Sequence, residues 1–233
     1  PAADLTVQPL VPARSSGLPS FAVEDSYRWG VEQQVAILFA DLRGFTALSE
    51  RRLPFDVVFI LNEYLGLMSE LVRKNGGVVD KFIGDSVMAL FGVAASGEVG
   101  ARQALATAAA MMEELATLND RLNTQVSETL NMGIGIHAGH AILGRIGGGA
   151  NDGLTALGDT VNIASRLESA TKELGLMLAA SDSAMKLASA NPSGWHSEEI
   201  AVRGRSGAIL VHATSEPGRV RTALAGAARP VAR

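Results

Sequence analysis

The chain has 233 residues, 47% of them apolar, and a net charge of −4, which is material for one sizeable core with flanks. The acidic balance, with no basic stripe, excludes a general nucleic-acid binder, because such a surface repels a phosphate backbone. Cysteine is absent, which removes disulfides, thiolate metal sites and thiol nucleophiles and fits a cytoplasmic setting; the longest apolar stretch, 101–118, is broken by Gln103, Glu113 and Glu114 and is too polar to span a lipid bilayer.

Residues 1–30, with Pro1, Pro9, Pro12 and Pro19, read as a linker and lead-in, and suggest a sensor or membrane domain upstream of this piece. The folded domain is expected over 31–214, and 215–233, with Pro217, Pro230 and scattered arginines, reads as a flexible tail. Residues 35–40 are continuously apolar and end at Asp41, the pattern of a buried strand. From Pro54 to Asn75 the apolar positions Phe55, Val58, Phe59, Leu65, Met68, Leu71 and Val72 form the stripe of a packed helix, closed by Gly76 and Gly77. A hairpin follows, with strands at 78–82 and 87–91 around a turn carrying Gly84 and Asp85.

Residues 98–122 repeat the helical stripe at Ala108, Met112, Leu115, Leu118 and Leu122. Segments 132–138 and 141–146 then read as paired strands around Gly139 and His140. The order strand, helix, hairpin, helix, strand is that of a ferredoxin-like βαββαβ sandwich, an α/β (α+β) fold. A Gly-rich loop, a helix over 159–171 with Asp159 as its cap, and short strands near 176–180, 195–202 and 209–213 extend it toward the C-terminus.

Asp41 closes one hydrophobic strand, and Asp85 sits in the turn of a hairpin that pairs with it in this fold. Two carboxylates on rigid elements suit Mg²⁺, which shares its shell with water and substrate phosphates. Singly, each is equally well explained as a turn residue; together they favour a metal. The turn Leu42-Arg43-Gly44 leading into Phe45 and Thr46 resembles a phosphate cradle at a helix start. On the 159–171 helix, Asn162, Arg166 and Ser169 share one face, which alone would be an ordinary solvated face. The dinucleotide-like letters Gly133-Ile-Gly-Ile-His-Ala138 lie inside a strand and open no helix, so they carry no cofactor reading. The four histidines, 137, 140, 196 and 212, show no ligand spacing and read as structural.

Three segments taken together, 39–46 (FADLRGFT), 80–89 (DKFIGDSVMA) and 157–168 (LGDTVNIASRLE), resemble the signature blocks of the class III nucleotidyl cyclases, in that family's order. The resemblance covers roughly 31–214 and most resembles the adenylate cyclases with Thr in the third block. It implies two Mg²⁺ or Mn²⁺ ions on Asp41 and Asp85, with the Leu42 carbonyl as a further ligand. It implies base recognition by Lys81 and Thr155, with lysine favouring adenine and ATP as substrate. Asn162 and Arg166 would stabilise the transition state, and Arg203, on a looser match, would hold the triphosphate. A homodimer with shared sites is implied, the metal carboxylates coming from one chain and the base-reading, Asn and Arg groups from the other. A guanylate or dual-specificity cyclase and a regulatory, catalytically degenerate module are the alternatives; neither aspartate, nor Asn162, nor Arg166 is lost, as the second would require.

Overall fold

The computed structural model of the chain describes residues 27, 30–145, 153–201 and 207–226. Within them the strands are β1 (Val31–Leu42), β2 (Val78–Ile83), β3 (Ser86–Phe91), β4 (Met132–Arg145), β5 (Leu154–Leu157), β6 (Leu178–Ser181), β7 (His196–Ala201) and β8 (Ala208–Thr214). The helices are α1 (Phe45–Arg51), α2 (Pro54–Lys74), α3 (Gly97–Val126), α4 (Asp159–Leu174), α5 (Asp182–Leu187) and α6 (Pro217–Ala225). The sheet order is β2-β3-β1-β4-β6-β8-β7, with β5 pairing β4 off this path. Its first four strands, with α2 and α3, are the expected ferredoxin-like sandwich, and β6, β7 and β8 extend the sheet. No helix among the described residues is long and apolar enough to cross a membrane.

β1 is central and apolar on both faces, as its unbroken hydrophobic run requires. Ala36, Leu38 and Ala40 pack with Val87, Ala89 and Phe91 against α2 and α3. Val35, Ile37 and Phe39 pack on the other face with Met88, Leu90, Ala156 of β5 and Ala164 of α4. The β2–β3 ladder shifts register between Val79 and Lys81: Val79 opposes Ala89 and Lys81 opposes Met88, leaving Asp80 as a bulge residue.

The structure corrects several expectations. Residues 132–145 are one 14-residue strand, not two, and β1 pairs with it from Leu42↔Met132 to Val31↔Leu143. Gly139 is there for packing and not for a turn: a Cβ on it would lie 2.9 Å from the Thr160 hydroxyl of α4. Gly133 and Gly135 answer the same demand. A Cβ on Gly133 would meet Thr171 Oγ1 at 2.4 Å, and one on Gly135 would meet the Glu168 backbone nitrogen at 2.1 Å and the Ala164 carbonyl at 2.4 Å. The dinucleotide-like spacing is therefore a track on which a helix lies.

In α2 the buried face is Ile60, Tyr64, Met68, Leu71 and Val72, whereas Phe55 is 88% exposed and Val58 and Phe59 are exposed with it. Asp159 is the first residue of α4; Gly158 is the cap, and no side chain caps this helix. The tail expected to be loose from Ser215 holds α6, whose Val220 and Ala223 are buried. Arg102 of α3 donates to the Leu224 carbonyl at 2.9 Å, and Arg221 pairs with Glu113, so apolar burial and ion pairing dock this helix.

Replacing Gly135 by Ala drives a methyl into α4 backbone atoms that cannot move without shifting the helix. Urea denaturation of Gly135→Ala should show a loss of about 2 kcal/mol or more. Gly139→Ala, which meets side chains and no α4 backbone, should cost less; equal stability of Gly135→Ala and wild type would refute the close-packing account.

Candidate active site

Asp41 lies one residue from the end of β1, opposite Gly133 of β4. Asp85 lies in the two-residue turn of the β2–β3 hairpin, where Gly84 takes φ +64° and Ile83 pairs with Ser86. Because β3 pairs antiparallel with β1, with Ala40 opposite Val87, the turn is delivered to the end of β1 that bears Asp41. The two carboxyls are brought into contact. Asp41 is pushed up from its ordinary 3.8 to about 7, first by burial, then by the charges of Asp85 and Glu168 and a hydrogen bond to Asp85, with the Leu42 amide opposing.

Two neighbours of this pair escaped the sequence reading. Glu168 of α4 hangs over Gly133, directly across from Asp41; burial is the main cause that raises its own carboxyl above the usual range. Tyr64 of α2 is fully buried, feels the charges of Asp41, Asp85 and Glu168, and its hydroxyl has no hydrogen-bond partner. A tyrosine at helical spacing among apolar residues reads as core, and only its exposure to three carboxylates marks it out.

The pair fits divalent cations. Two carboxylates forced together at a sheet edge are relieved by a cation, and the orphaned Tyr64 hydroxyl lies beside them for a bound water. No three His, Asp or Glu side chains among the described residues form a ready-made cage. A two-carboxylate site instead draws its remaining ligands from backbone carbonyls, water and substrate, as Mg²⁺ sites do. Leu42 has its side chain in the core, leaving only its backbone for that role.

After Asp41 the chain turns through Gly44, at φ +72°, into α1. The first helical hydrogen bond runs from Leu48 N–H to Gly44 C=O, so the amides of Phe45 and Thr46 precede the helical ladder and follow closely on Asp41 in sequence. Arg43 ties this turn to the far end of α4, donating to the Thr171 carbonyl at 3.0 Å and to that of Leu176.

Lys81 and Thr155, remote in sequence, are brought together by a residue to which the sequence reading gave no role. The Asp80 carboxylate accepts from Thr155 Oγ1 at 2.7 Å and from the Ala156 N–H at 3.3 Å, and its other oxygen is 3.5 Å from Lys81 Nζ. Asn162 and Arg166 are both exposed on α4, while Thr160, Ala164 and Glu168 face β4. They thus point away from the sheet that carries Asp41 and Asp85. Arg203 lies outside the described residues. Two of the four histidines are buried in polar contacts: His137 meets Ser181 at 2.8 Å, and His212 lies between Ser197 and Asp182.

A ferredoxin-like sheet with two carboxylates in contact at the strand ends, Lys81 and Thr155 joined through Asp80, and Asn162 and Arg166 exposed on the overlying helix is the arrangement expected of a nucleotidyl cyclase catalytic domain. Residues 30–215 match the family described as adenylate and guanylate cyclase catalytic domain, and the chain belongs to that family. An adenylate cyclase of Anabaena cylindrica is 34% identical over 188 residues, 77% of this chain and 36% of that protein, so the chain spans little more than a third of it. Among solved structures, the guanylyl cyclase Cya2 is similar with a TM-score of 0.73 at 29% identity, covering 80% of this chain and 94% of that one. The adenylyl cyclase CyaB from P. aeruginosa gives 0.70 at 30% identity, covering 79% and 94%.

The raised Asp41 has a measurable sign. Its folded value exceeds its unfolded one, so its contribution to stability is fully present below about pH 4 and lost as pH rises through about 7. Thermal melts of chelator-treated protein should therefore fall across this window more steeply in wild type than in Asp41→Asn. Added Mg²⁺ or Mn²⁺ should raise the melting temperature more at pH 8 than at pH 5. An equal metal shift at both pH values would contradict the site.

Proposed function

We propose that this chain is the catalytic domain of an adenylate cyclase, converting ATP into 3′,5′-cyclic AMP and pyrophosphate in the cytoplasm. The observation that carries the reading is the Asp41–Asp85 contact, an arrangement that costs stability until cations relieve it, set in a chain whose three family blocks are intact. Lys81 and Thr155, held side by side, favour adenine as the base.

In the reaction the ribose 3′-oxygen attacks the α-phosphorus in line, loses its proton, and the bond to the departing pyrophosphate breaks. Two Mg²⁺ or Mn²⁺ ions on Asp41, Asp85 and the Leu42 carbonyl would supply positive charge to the attacking oxygen and the triphosphate. The amides at Gly44, Phe45 and Thr46 receive phosphate oxygens, and Arg203 holds the triphosphate. Lys81 and Thr155 position the base, Asn162 orients the ribose, and Arg166 neutralises charge on the phosphoryl oxygens as the transition state forms.

The direction of α4 supports a homodimer. Within one chain Asn162 and Arg166 are turned away from the carboxylate pair, so a second copy must present them to it. Exposed apolar side chains flank both halves: Phe82 and Ile83 beside the Asp85 turn, and Leu157 two residues from Thr155. Contact with a second copy would cover them.

Product analysis with ATP and with GTP, in Mg²⁺ and in Mn²⁺, tests the reading; cyclic GMP from GTP as the main product would overturn the choice of base. Arg166→Ala should lower kcat by about two orders of magnitude with little change in KM. Mixing the inactive Asp41→Ala and Arg166→Ala variants should restore activity, since a mixed dimer keeps one intact site. No recovery would argue for a site within one chain.

A further inference from the structure

The Asp80 side chain is only 2% exposed, yet it belongs neither to the apolar core nor to the metal pair. The bulge in β2 gives it no partner in the β3 ladder, and its two oxygens are spent on two residues that face the base. We infer that Asp80 is a positioning residue that sets base preference by holding Thr155 as a hydrogen-bond acceptor and aiming Lys81 as a donor. The inference rests on the adenylate cyclase reading above for the place of Lys81 and Thr155 beside the base.

A threonine hydroxyl has one proton and two lone pairs, and free to rotate it pairs with a donor or an acceptor alike. Here the Asp80 carboxylate can only accept, so the Thr155 proton is committed to it at 2.7 Å. The Ala156 amide, donating to the same oxygen at 3.3 Å, keeps that carboxylate from swinging aside. What Thr155 has left to offer a ligand is a lone pair. Lys81, a donor only, has its ammonium 3.5 Å from the other oxygen, with nearly half of the side chain open to solvent.

An acceptor next to a donor is the complement of one purine edge. Adenine presents a 6-amino donor and an N1 acceptor; guanine and hypoxanthine present a 6-oxo acceptor and an N1–H donor, the reverse of both. A 6-oxo purine would set oxygen lone pair against oxygen lone pair at Thr155, in a nearly closed place where an unmade hydrogen bond is costly. With Asp80 replaced by Asn, the NH2 group falls either on the Thr155 side, against the Ala156 N–H, where it frees the hydroxyl proton for a 6-oxo group, or on the Lys81 side, where it repels the ammonium; either way one arm of the acceptor–donor pair is lost. Asp80→Asn should then relax the preference with little change in shape.

The experiment compares ATP, GTP and ITP as substrates, and 3′-deoxy-ATP and 3′-deoxy-GTP as ligands that bind without cyclising. Wild type should reject ITP about as strongly as GTP, because the 6-oxo edge and not the 2-amino group is refused. ITP used as well as ATP would overturn the inference without recourse to any variant. In Asp80→Asn the ratio of kcat/KM for ATP to that for ITP or GTP should fall about tenfold or more. A loss shared equally by all three nucleotides, or absent, would show a merely structural carboxylate and would also overturn it. If ATP gives no cyclic product while 3′-deoxy-ATP still binds in preference to 3′-deoxy-GTP, and Asp80→Asn erases that preference, the cyclase reading fails and the role of Asp80 stands.

Discussion

The close seating of α4 on β4 is the constraint on which the rest depends. Three glycines, 133, 135 and 139, remove the side chains that would hold the helix off the sheet, and α4 fills the space, with its backbone at Gly135 and with the side chains of Thr171, Glu168 and Thr160 at Gly133 and Gly139. That contact fixes which way every residue of the third family block faces. Glu168 and Thr160 turn to the strand, and Asn162 and Arg166 turn to solvent. It also brings a third carboxylate over the end of β1, adding to the charge that Asp41 and Asp85 carry there. Packing and electrostatics are thus one problem in this fold: the approach that buries apolar surface on the inner face of α4 concentrates negative charge at its C-terminal end.

Carboxylate charge gathered in this way is unfavourable by itself and is the kind that a divalent cation relieves. Burial and mutual repulsion raise Asp41, and a fully buried phenol stands beside the pair without a partner. Such a site is held together by the surrounding core and not by its own contacts, which is how strain persists at functional places. Arg43 supports the arrangement from below, tying the turn after Asp41 to the carbonyls at the end of α4.

Much of this was legible in the sequence because the signals were local. The apolar run ending at Asp41, the Gly84–Asp85 turn between two short strands, and the helical spacing of Asn162 and Arg166 each follow from periodicity or turn chemistry within a dozen residues. What was missed depends on contacts far apart in the chain. Gly139 reads as a turn until the helix that covers it is known. Phe55, Val58 and Phe59 fit the helical stripe but fall on the side that the sheet does not reach. Tyr64 and Glu168 gain their significance from neighbours 20 or more positions away, and Asp80 from its link between Lys81 and the distant Thr155; no single-sequence pattern reports those contacts. The α6 segment looked loose from its prolines and arginines, but Pro217 opens the helix and Arg221 fastens it to Glu113.

The β2 bulge carries a consequence for how this domain can change. In a regular strand Asp80 and Lys81 would face opposite sides of the sheet; the extra residue lets Lys81 oppose Met88 and share a side with its own neighbour. Excising Asp80 would restore even pleating with Lys81 still opposite Met88, but would remove the carboxylate that links Lys81 to Thr155. The strand is therefore counted as well as spelled: on the proposed reading, substitution at 80 or 81 retunes the base accepted, while an insertion or deletion between 78 and 83 disturbs the bulge that places Asp80. Diversity among descendants of such a chain should accumulate here in identity and not in length.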